Sequence, residues 1–445
     1  MERFKIVKDP VHGYIRILPH ELEILDTFAF QRLRRIKQLA VVDLVYPGAV
    51  HTRFSHSLGV AHVVEKFLEE LLPKAEVPQS ERERYLVFMR LVALLHDIGH
   101  GPYSHVFEDF VLYPRGTSHE IVGALIIEKC AELADPIERI LSEYGFRLKD
   151  IQDALKSASE EEWPLRSSLG SSSERILFHL MKGAFSADII DYLLRDSYYT
   201  GAGYGSGVDW IRLAHCLCVH GDKIVLDKRG LEVLDQVLIA RLWMFSTVYY
   251  HKTVRAASYF VGRMLTEIDR KGVLSYDEYI NEPTKYVTLD DYTILTIAMS
   301  GGVEEARDLL KRRIPYRAVA EHRIAMPDLA RPLEVLLSMS KDYLETIIEE
   351  DLRRRGLEYE RGRDFFIDTP KLPLNPMLGG EHIYVLDPST GEVQRRSVLE
   401  LSWFHIPKTV AVIRLYIDRD RVDDPTPFID SFRKVMNPEE LRSFY

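Results

Sequence analysis

The chain has 445 residues, 46% hydrophobic and 28% charged, with a formal net charge of −10 at pH 7. That length buries a substantial core, expected as two lobes, and the acidic balance argues against bulk binding of nucleic acid. No run of about eighteen apolar residues occurs, Met1–Lys5 carries no apolar signal segment, and Cys130, Cys216 and Cys218 offer no disulfide framework, so a cytoplasmic protein without a membrane span is expected. Only Asn281, Asn375 and Asn437 are asparagines, a bias of the kind that thermophilic proteins show against labile amides.

Residues 1–280 predict mostly helix. His62 to Leu72 has an apolar period, and residues 85–97 are apolar nearly all round, as in a buried helix that Gly99 and Gly101-Pro102 then stop. Ile121 to Ala134, Arg175 to Leu194 and Leu231 to Met264 are further helical stretches. Ser157 to Ser173, acidic and then serine-rich, predicts a loop. The glycine-dense Gly201 to Gly207 lacks the strand and helix context of a phosphate cradle and reads as a mobile connection bordering the active site. Cys216-x-Cys218 alternates like a half-buried strand. Beyond about residue 285 the texture changes. Thr288 to Met299, Glu304 to Arg313 and Arg331 to Arg355 predict helices, while His382 to Leu386 and Val410 to Ile417 predict strands, with a turn at Pro388 to Gly391. The basic runs Lys311 to Arg313 and Arg353 to Arg355 fall at helix C-termini, where the dipole favours cations. The expected fold is mainly α, a helical core over 1–285 with a smaller α+β lobe over 286–445 that contributes to oligomer contacts.

Chemistry concentrates in four residues. His56, the adjacent pair His96-Asp97, and Asp188 offer imidazoles and carboxylates, which suit iron, manganese, zinc, nickel or magnesium without a thiolate. His96 and Asp97 sit at the end of the buried helix, and directions about 100° apart let both reach one ion there. Asp188 opens a helix, Ala187 to Arg195, on which Asp188, Asp191, Tyr192 and Arg195 share a broad face. Such a cation polarises a phosphoryl oxygen and acidifies a bound water. Arg53, three residues before His56, supplies a forked charge, and His100, His105 and His119 are candidates for proton transfer and phosphate contact.

These motifs, with Lys8-Asp9-Pro10-Val11-His12-Gly13, Phe30 to Leu39, Tyr46-Pro47-Gly48-Ala49, Asp191 to Asp196 and Tyr249 to Lys252, resemble the HD-domain phosphohydrolases, within them the branch of dNTP triphosphohydrolases that includes the sterile-alpha-motif and HD-domain protein. The match runs from Phe4 to about Gly262 and begins so near Met1 that no sterile-alpha-motif domain is expected ahead of it. The resemblance implies cleavage of a dNTP at the α-phosphorus to deoxynucleoside and triphosphate. It assigns His100, His105 and His119 to the catalytic site, with Glu108, where the family usually has Asp, orienting one imidazole. It places Gln38, Tyr192 and Asp196 at the deoxyribose 3′-hydroxyl, Leu39 and Tyr249 as a wall against a 2′-hydroxyl, and Arg241 on the terminal phosphates. Lys5, Asp26, Gln31 and Arg34 match a guanine-nucleotide activator site at a subunit interface of a dimer or tetramer, with Lys8 standing where the family has Asn.

One departure bears on the triphosphate. The residue after the metal-binding Asp is Ile189, where that branch has a Lys on the triphosphate; the lost charge-assisted bond is worth about 1.5–3 kcal/mol, which Lys252 and Arg255 are placed to offset. A phosphatase or phosphodiesterase acting on monophosphates or other phosphoesters is the alternative that Ile189 favours. A nucleotide-sensing or nucleic-acid-binding protein with a vestigial metal site is the other.

Overall fold

The computed structural model describes residues 4–164, 171–183, 185–220, 223–326, 339–373, 382–397 and 409–436. Three helices form the frame of the first core. The 22-residue helix Arg53–Lys74 packs along Gln79–Leu95 on one side and Ala187–Thr200 on another. Each buries a continuous apolar stripe, so the three touch over Leu58, Val63, Phe67, Phe88, Leu91, Leu95, Ile190 and Leu193 in one cluster. The frame brings its helix ends together. His56 lies in the first turn of Arg53–Lys74, His96 caps Gln79–Leu95, and Asp188 lies in the first turn of Ala187–Thr200, where the Ser186 hydroxyl accepts from the Ile189 amide. Among the described residues no helix is long and apolar enough to cross a membrane.

Several expected helices are subdivided. Cys130 turns extended and separates His119–Lys129 from Ala131–Glu143. Arg175 to Leu194 falls on Ser171–Lys182 and Ala187–Thr200. Leu231 to Met264 becomes Leu231–Met244, a π turn Phe245–Tyr249, and Lys252–Arg270, whose start is capped by His251 Nδ1 accepting from the Thr253 amide at 3.3 Å. Of the loop expected over Ser157 to Ser173, residues 165–170 lie outside the described residues, and the helix Ser171–Lys182 already begins within it. The start of the chain differs from a helical reading. Lys5–Asp9 and Gly13–Ile17 form an antiparallel hairpin whose turn is closed by Asp9 Oδ1, which accepts from the Val11 and His12 amides at 2.9 Å each.

A second core lies between helices Lys341–Arg354 and Thr426–Met436 and a sheet. Strand Thr409–Asp418 is central there, antiparallel to Tyr316–Met326 on one side and to Phe365–Asp368 and Lys371–Pro373 on the other. The expected helix Arg331 to Arg355 is seen as Lys341–Arg354; residues 327–338 lie outside the described residues. Its basic end lies at the helix C-terminus, as expected, and also pairs with carboxylates one turn back, Arg355 with Asp351 at 2.6 Å. Another sheet orders Leu217–His220, Lys223–Asp227, His382–Asp387 and Glu392–Ser397, with a parallel pairing between the second and third. Residues 286–310, allotted by sequence to the C-terminal lobe, contribute Tyr286, Leu289, Ile294 and Ala306 to the first core.

Candidate active site

The segment after His96 is held from both sides. Arg32, fully buried, donates from Nε to Leu289 O at 2.6 Å, from Nη1 to Ile98 O at 3.1 Å and from Nη2 to His100 O at 2.5 Å. The Tyr286 hydroxyl donates to Gly99 O at 2.9 Å, and Asp291 accepts from the Tyr103 and Lys37 amides at 2.7 and 2.9 Å. Gly99 does more than end a helix. A Cβ there would stand 2.0 Å from His119 O and 2.3 Å from Gly123 N, so only glycine lets the two segments meet. Tyr103 and Ser104 adopt φ of 59° and 54°, rare for side-chain-bearing residues and characteristic of functional loops.

The four expected ligands converge. His56, His96 and Asp188 bring ligand atoms within 4.8 Å of one another. His56 Nε2 is 3.0 Å from Asp188 Oδ1 and 3.7 Å from Asp97 Oδ2; His96 Nε2 is 3.4 Å from Asp97 Oδ1. His96 Nδ1 donates to Ala93 O at 2.7 Å, which leaves Nε2 as the acceptor nitrogen, and that buried nitrogen has no hydrogen-bond partner. Burial pushes the His96 pKa down and so keeps this nitrogen unprotonated. An orphaned imidazole nitrogen beside two carboxylates fits a divalent cation. The histidines and aspartates are a set that could hold one. Burial opposes a charge on His56, yet its bonds to Asp188 and Asp191 raise its pKa to about 10 in the ion-free arrangement.

Asp97 is shared. Although burial opposes its ionisation, Arg53 holds its carboxyl well below the usual range, donating from Nη1 at 2.5 Å. Arg53 Nε donates to Ser104 Oγ at 2.8 Å, and its Nη2 is buried without a partner. His100 stacks on His119 with ring centroids 3.8 Å apart, and burial, with Arg53 and His119 nearby, pushes His100 well below its ordinary pKa. Glu108 does reach its imidazoles despite the extra methylene: Oε1 accepts from His119 Nδ1 at 2.6 Å and Oε2 from His105 Nδ1 at 3.1 Å. Asp97, His100 and His119 also form a compact group of ligand-type atoms.

All of this opens on a cavity of about 1090 Å³ lined by Gln38, Leu39, Arg53, His96, Asp97, His100, His105, His119, Asp188, Tyr192, Asp196 and Tyr249. Asp196 is clamped there, accepting from His51 Nε2 at 2.7 Å and from the Tyr249 hydroxyl at 2.5 Å. Arg241 is not among the lining residues; its guanidinium lies over the Phe245 ring at 5.4 Å and its Nε is buried without a partner. Ile189 is buried in the core and does not face the cavity. The expected substitutes divide. Lys252 begins the helix beyond the π turn and does not line this cavity; Arg255, on the same helix, lines it with its guanidinium forked onto Asp368. Lys182 and Lys341 are additional lining cations.

Asp26, Gln31 and Arg34 lie together away from the cavity. Arg34 Nε donates to Gln31 Oε1 at 2.8 Å and its guanidinium sits 3.5 Å over Phe54. Asp26 is the C-cap of Pro19–Leu25, and the N-cap of Phe28–Gln31 is Thr27, whose hydroxyl accepts from the Phe30 amide at 3.2 Å. Lys5, on the exposed hairpin strand, makes no hydrogen bond or ion pair with them among the described residues. His12, Asp191 and Arg195 stood in the motifs without an assigned role, and together with His51 and Ser104 they brace the site.

Comparison with known proteins gives the family. The model described as HD domain matches residues 53–174, and that described as HD associated region matches 208–342. An uncharacterised protein of Methanocaldococcus jannaschii is 31% identical over 376 residues, covering 83% of this chain and 70% of that protein. The chain belongs to the HD-domain phosphohydrolases. The chicken (Gallus gallus) deoxynucleoside triphosphate triphosphohydrolase SAMHD1 is 31% identical over 352 residues, 71% of this phosphohydrolase and 56% of its own length. The chain likewise spans 63% of a Bacillus subtilis relative and 58% of a Dictyostelium discoideum SAMHD1 homologue. Two crystal structures share the fold along the whole length. A hypothetical protein of Aquifex aeolicus has a TM-score of 0.72 at 26% identity, covering 96% of this chain and all of that one. A phosphohydrolase of Bacteroides thetaiotaomicron has 0.67 at 25% identity, covering 93% and all.

Proposed function

We propose that this phosphohydrolase cleaves deoxynucleoside triphosphates at the α-phosphorus, releasing deoxynucleoside and triphosphate. The observation that carries the reading is one cavity lined both by His96 and Asp188, whose ligand atoms group with His56, and by the Asp196 carboxylate clamped by His51 and Tyr249. Those are the two recognition elements a nucleotide needs, one for phosphate chemistry and one for sugar. The naming of the SAMHD1 relatives as dNTP triphosphohydrolases supports the same substrate.

His56, His96, Asp97 and Asp188 would hold a divalent metal, which supplies a Lewis acid for phosphoryl oxygen and an acidified water. Arg53, braced by Asp97 and Ser104, directs its free Nη2 toward non-bridging oxygens. His105, mostly exposed to the cavity, keeps Nε2 for proton transfer to the leaving oxygen while Glu108 fixes its Nδ1. His100 and His119 contact phosphate, with His119 oriented by Glu108. Asp196, Gln38 and Tyr192 receive the 3′-hydroxyl. Leu39 and the Tyr249 ring crowd C2′, where an added hydroxyl is desolvated at a cost of about 1–3 kcal/mol. Arg241, standing behind Phe245, serves the terminal phosphates through a side-chain shift, and Lys5, Asp26, Gln31 and Arg34 serve a guanine-nucleotide activator in a dimeric or tetrameric assembly.

The decisive experiment resolves products by anion-exchange chromatography after incubation of each dNTP with Mn²⁺ or Mg²⁺, with and without GTP. Intact triphosphate with deoxynucleoside is the expected outcome, abolished by a chelator. Ile189, buried and turned from the cavity, is the observation favouring a phosphatase acting on monophosphates; release of orthophosphate would move the assignment there.

A further inference from the structure

Behind the candidate metal ligands lies a second layer whose bonding is complete. Asp191 Oδ2 accepts from His56 Nδ1 at 2.7 Å and from Arg195 Nε at 2.8 Å; Oδ1 accepts from His12 Nε2 at 2.6 Å and from Arg195 Nη2 at 3.0 Å. Arg195 Nη1 continues to Asp9 Oδ2 at 2.8 Å, and the other oxygen of Asp9 closes the hairpin turn that carries His12. The side chains of His12, His56, Asp191 and Arg195 are each 1% exposed or less. The backbone is shaped to admit the carboxylate. A Cβ on Gly59, one helical turn after His56, would lie 1.8 Å from Asp191 Oδ1 and 2.4 Å from Arg195 Nη2.

An imidazole whose Nδ1–H is held by a carboxylate presents Nε2 as a fixed, more basic lone pair, and such outer partners are typically worth about ten- to a hundredfold in metal affinity. Asp191 can hold His56 only where its own position is set. Arg195 sets it from the same helix, and His12 sets it from the opposite side, across from the start of the chain. Trp210 closes the pocket edge-on to the His12 ring, at 5.7 Å.

We propose that His12 is a positioning residue for the metal centre: the N-terminal hairpin, through His12 and Asp191, fixes the rotamer and tautomer of His56 and thereby sets the affinity for the ion. This rests on the metal reading above. The hairpin is thus a working part of the site, even though its outer side, with Ile6 and Tyr14 exposed, faces away from it.

The test titrates the metal-free full-length protein with Co²⁺, reading the visible d–d band and the dissociation constant by competition with a chelator. The proteins are the wild type, His12→Ala, His12→Gln, which retains an N–H donor, and Tyr14→Ala on the outer side of the same hairpin. Thermal unfolding without metal is recorded for each. His12→Ala is expected to weaken Co²⁺ about ten- to a hundredfold and to alter the band, His12→Gln to recover most of the affinity, and Tyr14→Ala to match the wild type. Should His12→Ala fail to fold, His12→Phe fills the volume without a donor and carries the same expectation. Wild-type affinity and band shape in His12→Ala or His12→Phe overturns the role of His12 alone. A wild type that binds no Co²⁺ overturns the metal reading and this inference together. Equal weakening by Tyr14→Ala also overturns the inference, since the effect would then be general loosening of the hairpin.

Discussion

Asp188 and Asp191 stand three residues apart on one helix and do opposite things. Asp188 lines the cavity with 38% of its side chain exposed, and its nearest partner is His56 Nε2 at 3.0 Å. Asp191 has no exposure and four donors on two oxygens. Around the first, polar atoms are left over: His96 Nε2, Arg53 Nη2 and His100 Nδ1 are all buried without partners. Around the second, the carboxylate is saturated. Unspent bonding capacity in a buried place is costly to folding, so where it clusters it marks the surface prepared for a ligand, and the saturated layer behind keeps it aimed.

That contrast can be broken from the saturated side first. Asp191→Asn leaves Arg195 and two imidazoles partly unpaired in the interior, a loss of about 3–5 kcal/mol expected from removing one partner of a buried pair, measured by urea unfolding at pH 7. The pH dependence follows. Although burial opposes ionisation, Arg195, His12 and His56 hold the Asp191 carboxyl well below the usual range. Its contribution is therefore complete above the unfolded pKa of about 4 and is lost as pH falls from there toward the folded value. The asparagine variant should show a flatter stability curve below about pH 4; an unchanged acid limb would remove Asp191 from the account.

On the open side the effects reverse. Asp188→Asn should cost turnover about a thousandfold or more, the scale of losing an activated water, while the midpoint of thermal unfolding without metal stays within about 2 °C, equivalent to under ~1 kcal/mol for a chain of this size. A drop of many degrees would mean that Asp188 belongs to the structural layer. Tyr249→Phe, which strips one donor from Asp196, should lower kcat/KM for a dNTP about tenfold, or about 1.4 kcal/mol, with the change read against the matching ribonucleotide. The smallest effect is expected at Tyr286→Phe. Loss of the bond to Gly99 O costs about 1 kcal/mol, seen in the denaturation midpoint with kcat nearly unchanged.

The open side was legible in the sequence and the saturated side was not, for a physical reason. Ligand chemistry depends on residue type, so His56, His96-Asp97 and Asp188 stood out as a compound pattern of His and Asp at helix ends. A structural carboxylate is defined by its partners, and those of Asp191 come from 179 and 135 residues away at His12 and His56. The face shared by Asp188, Asp191, Tyr192 and Arg195 was visible, but the assignment of Asp191 and Arg195 to the rear required the hairpin. That hairpin was missed because one Asp side chain closes its turn, a local signal that apolar periodicity does not register. The subdivision of Leu231 to Met264 went unseen because apolar period alone does not register a π turn such as Phe245–Tyr249.

The segment 98–103 is tied to Tyr286 and Asp291 directly and to Leu289 through Arg32, which decides how far the working unit extends along the chain. Residues 53–174, the span matched as an HD domain, contain neither Asp188 nor any of those three struts. Cut out and spliced into another chain, that span would carry the signature without the working arrangement. A truncation that ends short of Asp291 should therefore yield a polypeptide that keeps the motif and loses the site.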